Sequence, residues 1–316
     1  MSVTGMTGTG LGATHRTSTA RRAGDFLRRL LGRTDGLIGV TILLMFTVLA
    51  LFPNLFVGPL QGLTTSTGEP LQAPSFQYPF GTDEVGRDLL NLTVHGARIS
   101  MAIGLLATLI TVLIGTLVGI VAGFMGGGVD NVLMRLSDFF LVLPTIVLAL
   151  ILAPIMLDVI GPQAQLFGIR STLVVVVIVI ALTSWATTAR VIRSQVLSLK
   201  SRMFVDRARV IGSGGGRIMR RHILPNVVNL IVAQAVLTFA TAVFTETTLA
   251  FIGLGDPTAP SWGQLLNNAQ GAGAPGLGAW WYIAPPAIAV VMVVLAFTLL
   301  GNALDDVLDP RALSRR

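Results

Sequence analysis

The side chains that could support chemistry are few and widely separated along the chain. A glycine-rich run, GSGGGR at 212–217, has the composition of a phosphate-binding loop, but it lacks the Lys-Ser/Thr ending and follows no predicted strand. His95 and His222 have no partners at metal-ligand spacing, and a chain without cysteine has no thiolate ligands or disulfides. No nucleophile is paired with a base at a recognisable spacing. The sequence therefore predicts no catalytic residue, no directly bound cofactor and no metal site.

Four charged residues border or enter apolar runs, where ionisable groups commonly serve proton or substrate transfer. Glu246 lies near the outer end of its run rather than in the middle, which favours a structural or gating role. Asp130, Arg135 and Asp138 lie at near-helical spacing, so that Arg135 could pair with either carboxylate at the membrane surface. These three residues are therefore predicted to be structural.

The most informative polar segment is FVDRARVIGSGGGRIMRRHILPN at 204–226, which lies between two apolar runs. Residues 204–211 can form about two helical turns. The glycines at 212–216 then interrupt the helix, because glycine favours left-handed or irregular backbone. A second, basic helix at 217–223 is expected to stop before Pro225. The segment is predicted to form a rigid protrusion that passes force to a partner; a solvated basic turn is the alternative.

Six apolar runs are each long enough to cross a bilayer. They lie at 37–56, 101–124, 139–157, 171–189, 227–251 and 282–300. Each has roughly 20 residues, the length that a helix needs to span about 30 Å of hydrocarbon. The runs are apolar on all sides, and the whole chain is only 12% charged, against roughly 25% in soluble domains. The predicted fold class is an all-α membrane protein with six transmembrane helices.

The basic residues are distributed asymmetrically between the two sides of this membrane arrangement. If the N-terminus is cytoplasmic, all but three of the 22 Lys and Arg residues fall in cytoplasmic segments, the exceptions being Arg87, Arg98 and Arg170. Such asymmetry is the positive-inside rule, and it predicts cytoplasmic termini. It also accounts for the net charge of +7 without nucleic-acid binding.

The chain is accordingly divided by its apolar runs into five regions. The N-terminal region is rich in Gly, Ser and Thr, without the apolar stretch of a signal peptide. The predicted regions are a partly disordered cytoplasmic tail at 1–35, a first transmembrane helix at 36–56, an outside loop at 57–97, a core of five transmembrane helices at 98–302 with a cytoplasmic loop at 190–226, and a cytoplasmic tail at 303–316.

The second apolar run carries a face of small residues, Gly115, Gly119 and Gly123. In lipid, small residues at every fourth position let two helices approach closely. The face is predicted to serve helix packing. Two partners remain open, namely a helix of the same subunit and a second membrane subunit.

Several segments, taken in order, resemble the C-type permease subunits of bacterial dipeptide and oligopeptide ABC importers. The resemblance covers most of the chain and implies the type I ABC importer permease fold. The matching segments are FGTDEVGRDLLNLTVHGARIS at 80–100, AGFMGGGVDNVLMRLSDFFLVLP at 122–144, RHILPN at 221–226, ETTLAFIGLG at 246–255, SWGQLL at 261–266 and LLGNALDDVLDPR at 299–311.

The resemblance implies that the segment at 204–226 is the family's coupling loop, whose short helix docks in a groove of an ATPase subunit. The family's Glu-Ala-Ala lead falls on Asp206, Arg207 and Ala208, so Asp replaces Glu and Arg replaces the middle Ala. The family's glycine falls on Gly212. The residues implied for coupling are Val205, Asp206, Arg207, Ala208, Ile211, Gly212, Arg217, His222, Leu224, Pro225 and Asn226.

The resemblance also implies the rest of a multi-pass complex in the bacterial inner membrane. Its parts are a second homologous permease, ABC ATPase subunits that use ATP and Mg, an extracytoplasmic substrate-binding protein and membrane lipids, with no nucleic acid. Peptides are the implied cargo, and nickel or another small solute is the alternative on the same scaffold. A secondary transporter is a further alternative, favoured by Pro144 and Pro154 but opposed by the near absence of charge at mid-span.

Overall fold

The chain is described by a computed structural model at residues 28, 30–60, 62, 66–161, 163–166 and 168–308. Most of the tail expected at 1–35, and the end of the tail expected at 303–316, lie outside these residues. The helices are α1 (Thr34–Leu51), α2 (Pro53–Val57), α3 (Leu89–Met125), α4 (Gly127–Val142), α5 (Thr145–Ile160), α6 (Ser171–Lys200), α7 (Met203–Val210), α8 (Gly215–Ile218), α9 (Leu224–Leu249), α10 (Trp262–Gly271) and α11 (Trp280–Leu308).

Two shorter kinds of structure connect these helices. Two π-helical turns, Met219–Ile223 and Ala250–Leu254, flank α9. A small antiparallel ribbon of β1 (Gln165–Leu166) and β2 (Ile169–Arg170) joins α5 to α6, with Gln165 opposite Arg170 and Leu166 opposite Ile169.

Among the described residues, five continuous helical segments are long and apolar enough to cross a membrane. They are α1, α3, α6, the stretch Gly215–Leu254 that contains α9, and α11. Helices α4 and α5 satisfy the same criterion together, although they are bent by 95° relative to each other. The predicted all-α membrane fold is confirmed, and counting the bent pair as one crossing gives the six that the sequence predicts.

The third predicted span, 139–157, is not one continuous helix, and this expectation of the sequence is wrong. Helix α4 ends at Val142, Leu143 is extended (φ −78°, ψ 131°), and α5 starts after Pro144. Proline disfavours helical backbone at the residue ahead of it, so the helix breaks there. Pro53 follows the end of α1 in the same way.

The polar connections collect at two opposite ends of the bundle. At the end that we call the basic end, α7 and α8 pack on the last turns of α3 and α6 and on the first turn of α9. At the end that we call the loop end, segment 66–88 and α10 pack on the first turns of α3 and α11. This division follows from the up-and-down order of the spans, because each short connection turns the chain back at the end where the preceding helix stops.

Helices α3 and α6 pack with their backbones in direct contact along the glycine face of α3. A Cβ atom on Gly119 would lie 2.6 Å from the carbonyl oxygen of Ala189, and one on Gly115 would lie 2.6 Å from the Thr188 side chain. A Cβ atom on Gly123 would meet α6 at 2.9 Å. Of the two partners left open by the sequence, the structure shows a helix of the same chain.

The seam between α3 and α6 generates the first prediction. Gly119→Ala should lower thermal stability by about 1–3 kcal/mol, because a backbone carbonyl cannot yield to the added methyl group as a flexible side chain can. Gly128→Ala is the matched control, since no atom outside its own helix lies within 4 Å of the added methyl group. The melting temperatures of the two purified variants measure the difference. Equal melting temperatures would contradict close packing at this seam.

Candidate functional site

Helix α7 is anchored to the basic end by one apolar face. Val205 is fully buried and Ala208 is 6% exposed, and both pack with Ile218, Ile223 and Val227. The same cluster includes residues from the last turns of α3 and α6. Burying apolar side chains against three spans removes them from water and fixes α7 on the bundle. The predicted helix and glycine turn are therefore present and pack on the ends of three spans, whereas the transfer of force to a partner stays a prediction.

The opposite side of α7 is exposed. Met203, Asp206, Arg207, Val210 and Ile211 follow the i, i+3, i+4, i+7 and i+8 spacing of one helical face, and we call these five residues the docking face. Val210 is 87% exposed and Ile211 is 83% exposed. Large apolar side chains grouped beside charges on a surface are typical of a protein interaction site.

Gly212 ends α7 in a hydrogen-bonded C-cap. Its backbone is left-handed, with φ of +83°. The N–H of Gly212 donates to the carbonyl of Arg209 at 2.9 Å, and the N–H of Ser213 donates to the carbonyl of Ala208 at 3.0 Å. These two bonds form a Schellman motif, which requires a residue that tolerates positive φ. Open space surrounds Gly212, so the position demands glycine for its conformation rather than for its size.

The charges of the docking face are partly paired within the loop. Arg209 Nη1 donates to Asp206 Oδ1 at 3.3 Å. The Arg209 and Lys200 cations each lie 5.9 Å from the centre of the Phe124 ring, within the cation–π range. Arg207, which stands where the resembling family has a small residue, is exposed to solvent. Its bulk therefore does not disturb the buried face of α7.

The expected stop before Pro225 is wrong, because the helix continues from Gly215 to Leu254. Pro225 has no N–H to donate, and its ring would clash with the carbonyl four residues earlier in a regular α-helix. The π-helical turn that ends at Ile223 widens the helix just ahead of the proline. Asn226 Nδ2 donates to the His222 carbonyl at 2.6 Å, which adds a side-chain bond across the turn that contains the proline.

The other residues implied for coupling have different environments. Leu224 packs on the apolar cluster that anchors α7. The His222 ring lies 6.4 Å from the Phe204 ring. Arg217 and Pro225 are exposed but do not belong to the docking face. The structure thus brings Asp206, Arg207 and Ile211 together on one surface and assigns Val205, Ala208 and Leu224 to the anchor beneath it.

Met203 and Val210 are docking-face residues that the sequence analysis missed. Their spacing of seven residues, with Asp206 and Arg207 between them, was visible in the sequence as the helical i, i+3, i+4, i+7 pattern. The family motif marks only the Glu-Ala-Ala positions, whereas the helical period marks all five residues of the exposed face.

Glu246 lies at a buried junction of three helices at the loop end. Its side chain is 1% exposed and accepts hydrogen bonds from the hydroxyls of Ser100 and Ser261, with Thr247 Oγ1 at 3.4 Å. Ser100 Oγ accepts from the backbone N–H of Trp262 at 3.1 Å. The carboxylate therefore links α9 to α3 through Ser100 and to the N-terminus of α10 through Ser261. These hydrogen bonds support a structural role for Glu246, and a gating role stays a prediction.

Asp256 is a second buried carboxylate at the loop end, and the sequence analysis did not identify it. It is 2% exposed, and its Oδ1 accepts from Thr258 N at 2.8 Å and from Thr258 Oγ1 at 2.7 Å. Its Oδ2 lies 3.2 Å from Thr172 Oγ1 and 3.6 Å from Arg170 Nε. The Asp-Pro-Thr sequence was the available signal, because an Asp that bonds a backbone N–H two residues on forms an Asx turn.

The predicted pairing of Arg135 with Asp130 or Asp138 is wrong. Arg193 of α6 binds Asp130 with two hydrogen bonds, Nε to Oδ1 at 2.5 Å and Nη2 to Oδ2 at 2.6 Å. Arg190 of α6 pairs with Asp138. The two carboxylates are eight residues apart on α4, and the two arginines are three apart on α6. The neighbouring helix thus offers both partners, and the pairs fix α4 against α6 at the basic end.

Polar residues of the loop end stabilise the entry to α3. Asp88 caps the helix by accepting from Leu90 N at 2.8 Å, while burial raises the pKa of its carboxyl group above the usual value. Asp83 Oδ2 accepts from Arg87 Nε at 2.6 Å, and both side chains are buried. His95 Nε2 lies 3.0 Å from the carbonyl oxygen of Gly58, which ties α3 to the end of α2.

Comparison with known proteins identifies the family. Residues 115–314 match the family of binding-protein-dependent transport system inner membrane components. The dipeptide transport system permease protein DppC of Bacillus subtilis is 35% identical, covering 91% of this chain and 85% of that protein. The oligopeptide transport system permease protein OppC of Bacillus subtilis is 32% identical, covering 91% and 89%. The chain therefore belongs to this family of membrane components, and the resemblance drawn from its motifs is confirmed.

A solved structure supports the fold independently of close sequence similarity. A chain of the MetNI methionine ABC transporter in an inward-facing conformation superimposes with a TM-score of 0.55 at 18% identity, covering 69% of this chain and 97% of that chain. The likeness concerns the fold alone. The type I importer permease fold expected from the resemblance is thereby confirmed.

The cap at Gly212 generates the second prediction. Gly212→Val should loosen the end of α7, because a left-handed backbone costs an L-residue roughly 1–2 kcal/mol. Gly212→Asn is the control, since asparagine tolerates this conformation and can replace the C-cap glycine. Hydrogen exchange of the Gly212-region amides should accelerate about 5–30-fold in the valine variant and little in the asparagine variant. Equal exchange in both variants would show that the cap does not order α7.

Proposed function

We propose that this chain is a transmembrane permease subunit of an ATP-driven importer that admits dipeptides or oligopeptides to the cytoplasm. The similarity to the two Bacillus subtilis proteins over 91% of the chain carries this proposal, since one is named for dipeptide and the other for oligopeptide transport. The pathway forms between this subunit and a second, homologous permease. An extracytoplasmic binding protein delivers the peptide.

The docking face supplies the contact with an ABC ATPase subunit. Met203, Val210 and Ile211 expose apolar surface to water, and a groove on a partner that covers them gains roughly 25 cal/mol for each Å² buried. Asp206 and Arg207 offer charges at the edge of this patch, where charge complementarity sets orientation more than affinity. ATP and Mg are used on the ATPase subunits, and this chain contributes no catalytic group.

The anchor of α7 gives the proposed coupling its mechanical basis. Because Val205 and Ala208 pack against the last turns of α3 and α6, a force on the docking face acts directly on two spans. Protein interiors are close-packed and transmit displacement instead of absorbing it. A movement of the ATPase subunits would therefore shift the helices at the basic end and change access to the pathway.

The basic end faces the cytoplasm in this proposal. The docking face must meet the ATPase subunits on the side where ATP is supplied. The same orientation places most Lys and Arg residues inside, as the positive-inside rule requires. Both termini are then cytoplasmic, and segment 66–88 and α10 lie outside.

Loss of ATPase docking is the central test. Val210→Asp should reduce co-purification of the ATPase subunit and peptide uptake by about 5–30-fold, because a docking groove would have to bury an unpaired carboxylate. The variant should still insert, since Val210 is 87% exposed and contributes little to internal packing. Ser201→Asp, which adds the same charge just ahead of α7 but off the docking face, should retain both. Normal ATPase binding and uptake in Val210→Asp would contradict the proposal.

Orientation is tested by cysteine labelling, which has no background because the chain lacks native cysteine. In intact cells, a membrane-impermeant maleimide should label Phe76→Cys at the exposed loop end and should not label Ile211→Cys on the docking face. Ile211→Cys should become reactive in inverted vesicles. The reverse pattern would overturn the proposed topology without affecting the fold.

A further inference from the structure

Helix α9 carries a row of polar side chains along a face that the bundle leaves open. Five residues recur every three or four positions and so lie on one side of the helix, namely Gln234, Thr238, Thr241, Thr245 and Thr248. Thr241 is exposed, Gln234, Thr238 and Thr248 are half-buried, and Thr245 is buried. The row is about 21 Å long, because a helix rises about 1.5 Å per residue. We call these five residues the polar track.

The open faces of two neighbouring spans are apolar. From Met101 to Val121, every α3 side chain that is not buried is apolar, and the same holds for α11 from Ile283 to Phe297. Their large exposed side chains are Leu105, Leu106, Leu109, Leu113 and Leu117 on α3, and Ile288, Val291 and Leu295 on α11. Such faces suit contact with hydrocarbon. The polar track differs from them, and polar side chains within a membrane usually face the protein interior or a water-filled cavity.

The threonines of the track do not by themselves exclude lipid, because three of them bond to their own helix. The hydroxyls of Thr241, Thr245 and Thr248 each donate to a backbone carbonyl three or four residues earlier, at 2.8–2.9 Å. Such bonding satisfies a hydroxyl donor without water.

Gln234 is the residue of the track that lipid does not suit. Neither its amide nor the Thr238 hydroxyl has a hydrogen-bond partner among the described residues. Both groups reach the surface of the bundle, since neither is among its enclosed polar atoms. Gln234 also lies near the middle of α9, far from either membrane surface. An unpartnered amide is costly in hydrocarbon, so Gln234 requires water or a polar ligand at this depth.

A close contact with a helix of another subunit fits this face less well. Helices in lipid approach each other through small residues, as α3 does through its glycines. The open face of α9 instead carries the long side chain of Gln234 and, beside the track, the ring of Phe244, which is 54% exposed. A hydrated space accommodates these side chains together with the unpartnered amide.

We propose that the polar track lines the peptide pathway and hydrogen-bonds the main chain of the passing peptide, with Gln234 as its contact at mid-membrane. This inference rests on the proposed function, because the second permease closes the other side of the pathway. Gln234 and Thr238 can donate to peptide carbonyls. The hydroxyls of Thr241 and Thr248 donate within the helix, which leaves their oxygens to accept from peptide N–H groups. The track bears no charge and reads only the main chain, so it passes peptides of varied sequence.

The test is the reactivity of single cysteines in the complete transporter, reconstituted in nanodiscs together with its binding protein. The probe is a small sulfonate-bearing methanethiosulfonate, supplied on both sides. Gln234→Cys and Thr241→Cys should react at least about 10-fold faster than Leu109→Cys, because the reactive thiolate forms only in contact with water. Leu109 is the matched control, since it is 57% exposed near the middle of α3 on the apolar face.

Peptide uptake tests the contact at Gln234. Gln234→Leu removes the amide at similar size and should lower uptake about 3–10-fold, because a hydrogen bond to the peptide is lost. Gln234→Asn keeps the amide and should retain most of the uptake. Both variants should keep the melting temperature and the ATPase subunits of the unmodified complex, which a purely structural role of Gln234 would not allow.

Three results would contradict the inference. Reaction of the track cysteines no faster than that of Leu109→Cys would show that the track faces lipid. Reaction of Thr241→Cys only after removal of the second permease would show a closed contact between subunits. Full uptake by Gln234→Leu would show that its amide does not hold the peptide. An unmodified transporter that takes up no peptide would instead contradict the proposed function, whatever the reactivity of the cysteines.

Discussion

The direct backbone contact between α3 and α6 is the interaction on which the rest of the structure depends. Lipid gives no hydrophobic driving force between helices, so the two longest regular spans are held by close packing over Gly115, Gly119 and Gly123. The last of these glycines lies between Ile120 and Phe124, the α3 residues in the apolar cluster that supports α7. The seam therefore sets the position of the docking face as well as the core of the bundle.

The two ends of the bundle are stabilised by different interactions. At the loop end, Glu246 and Asp256 are buried. Glu246 bonds to Ser100 of α3 and to Ser261, and Asp256 connects its own loop to Thr172 of α6. At the basic end, Asp130 and Asp138 pair with arginines of α6, and an apolar cluster supports α7. Breaking a buried, multiply bonded carboxylate is more costly than breaking an exposed pair. The buried carboxylates of the loop end are therefore more costly to remove than the exposed Arg190–Asp138 pair of the basic end.

The sequence predicts the fold class, most of the spans and the helix and glycine turn at 204–212, because these depend on composition and on local motifs. It fails where a residue's partner comes from another helix. Arg135 was the nearest charge to Asp130 along the chain, but Arg193 is the nearest in space. It also fails at Pro144 and Pro225, because the same residue type has opposite effects on the helix at these two positions. Pro144 separates two helices, whereas a π-helical turn lets the chain continue through Pro225. Which outcome a proline has depends on the tertiary packing on either side of it.

Helix α9 connects the two ends without a break, and this explains why both π-helical turns lie next to it. Its first turn packs under α7 through Leu224 and Val227, and its last turn carries Glu246 in the loop-end junction. A regular helix between these fixed points leaves no freedom to adjust its length or rotation. The wider turns at Met219–Ile223 and Ala250–Leu254 lie where the regular helix meets these two fixed points, the second with Gly253 at φ +98°. In the proposed importer, α9 thus connects the ATPase contact to the outer face through one continuous helix. A change in the orientation of α9 would occur at its irregular ends, while its middle stays helical.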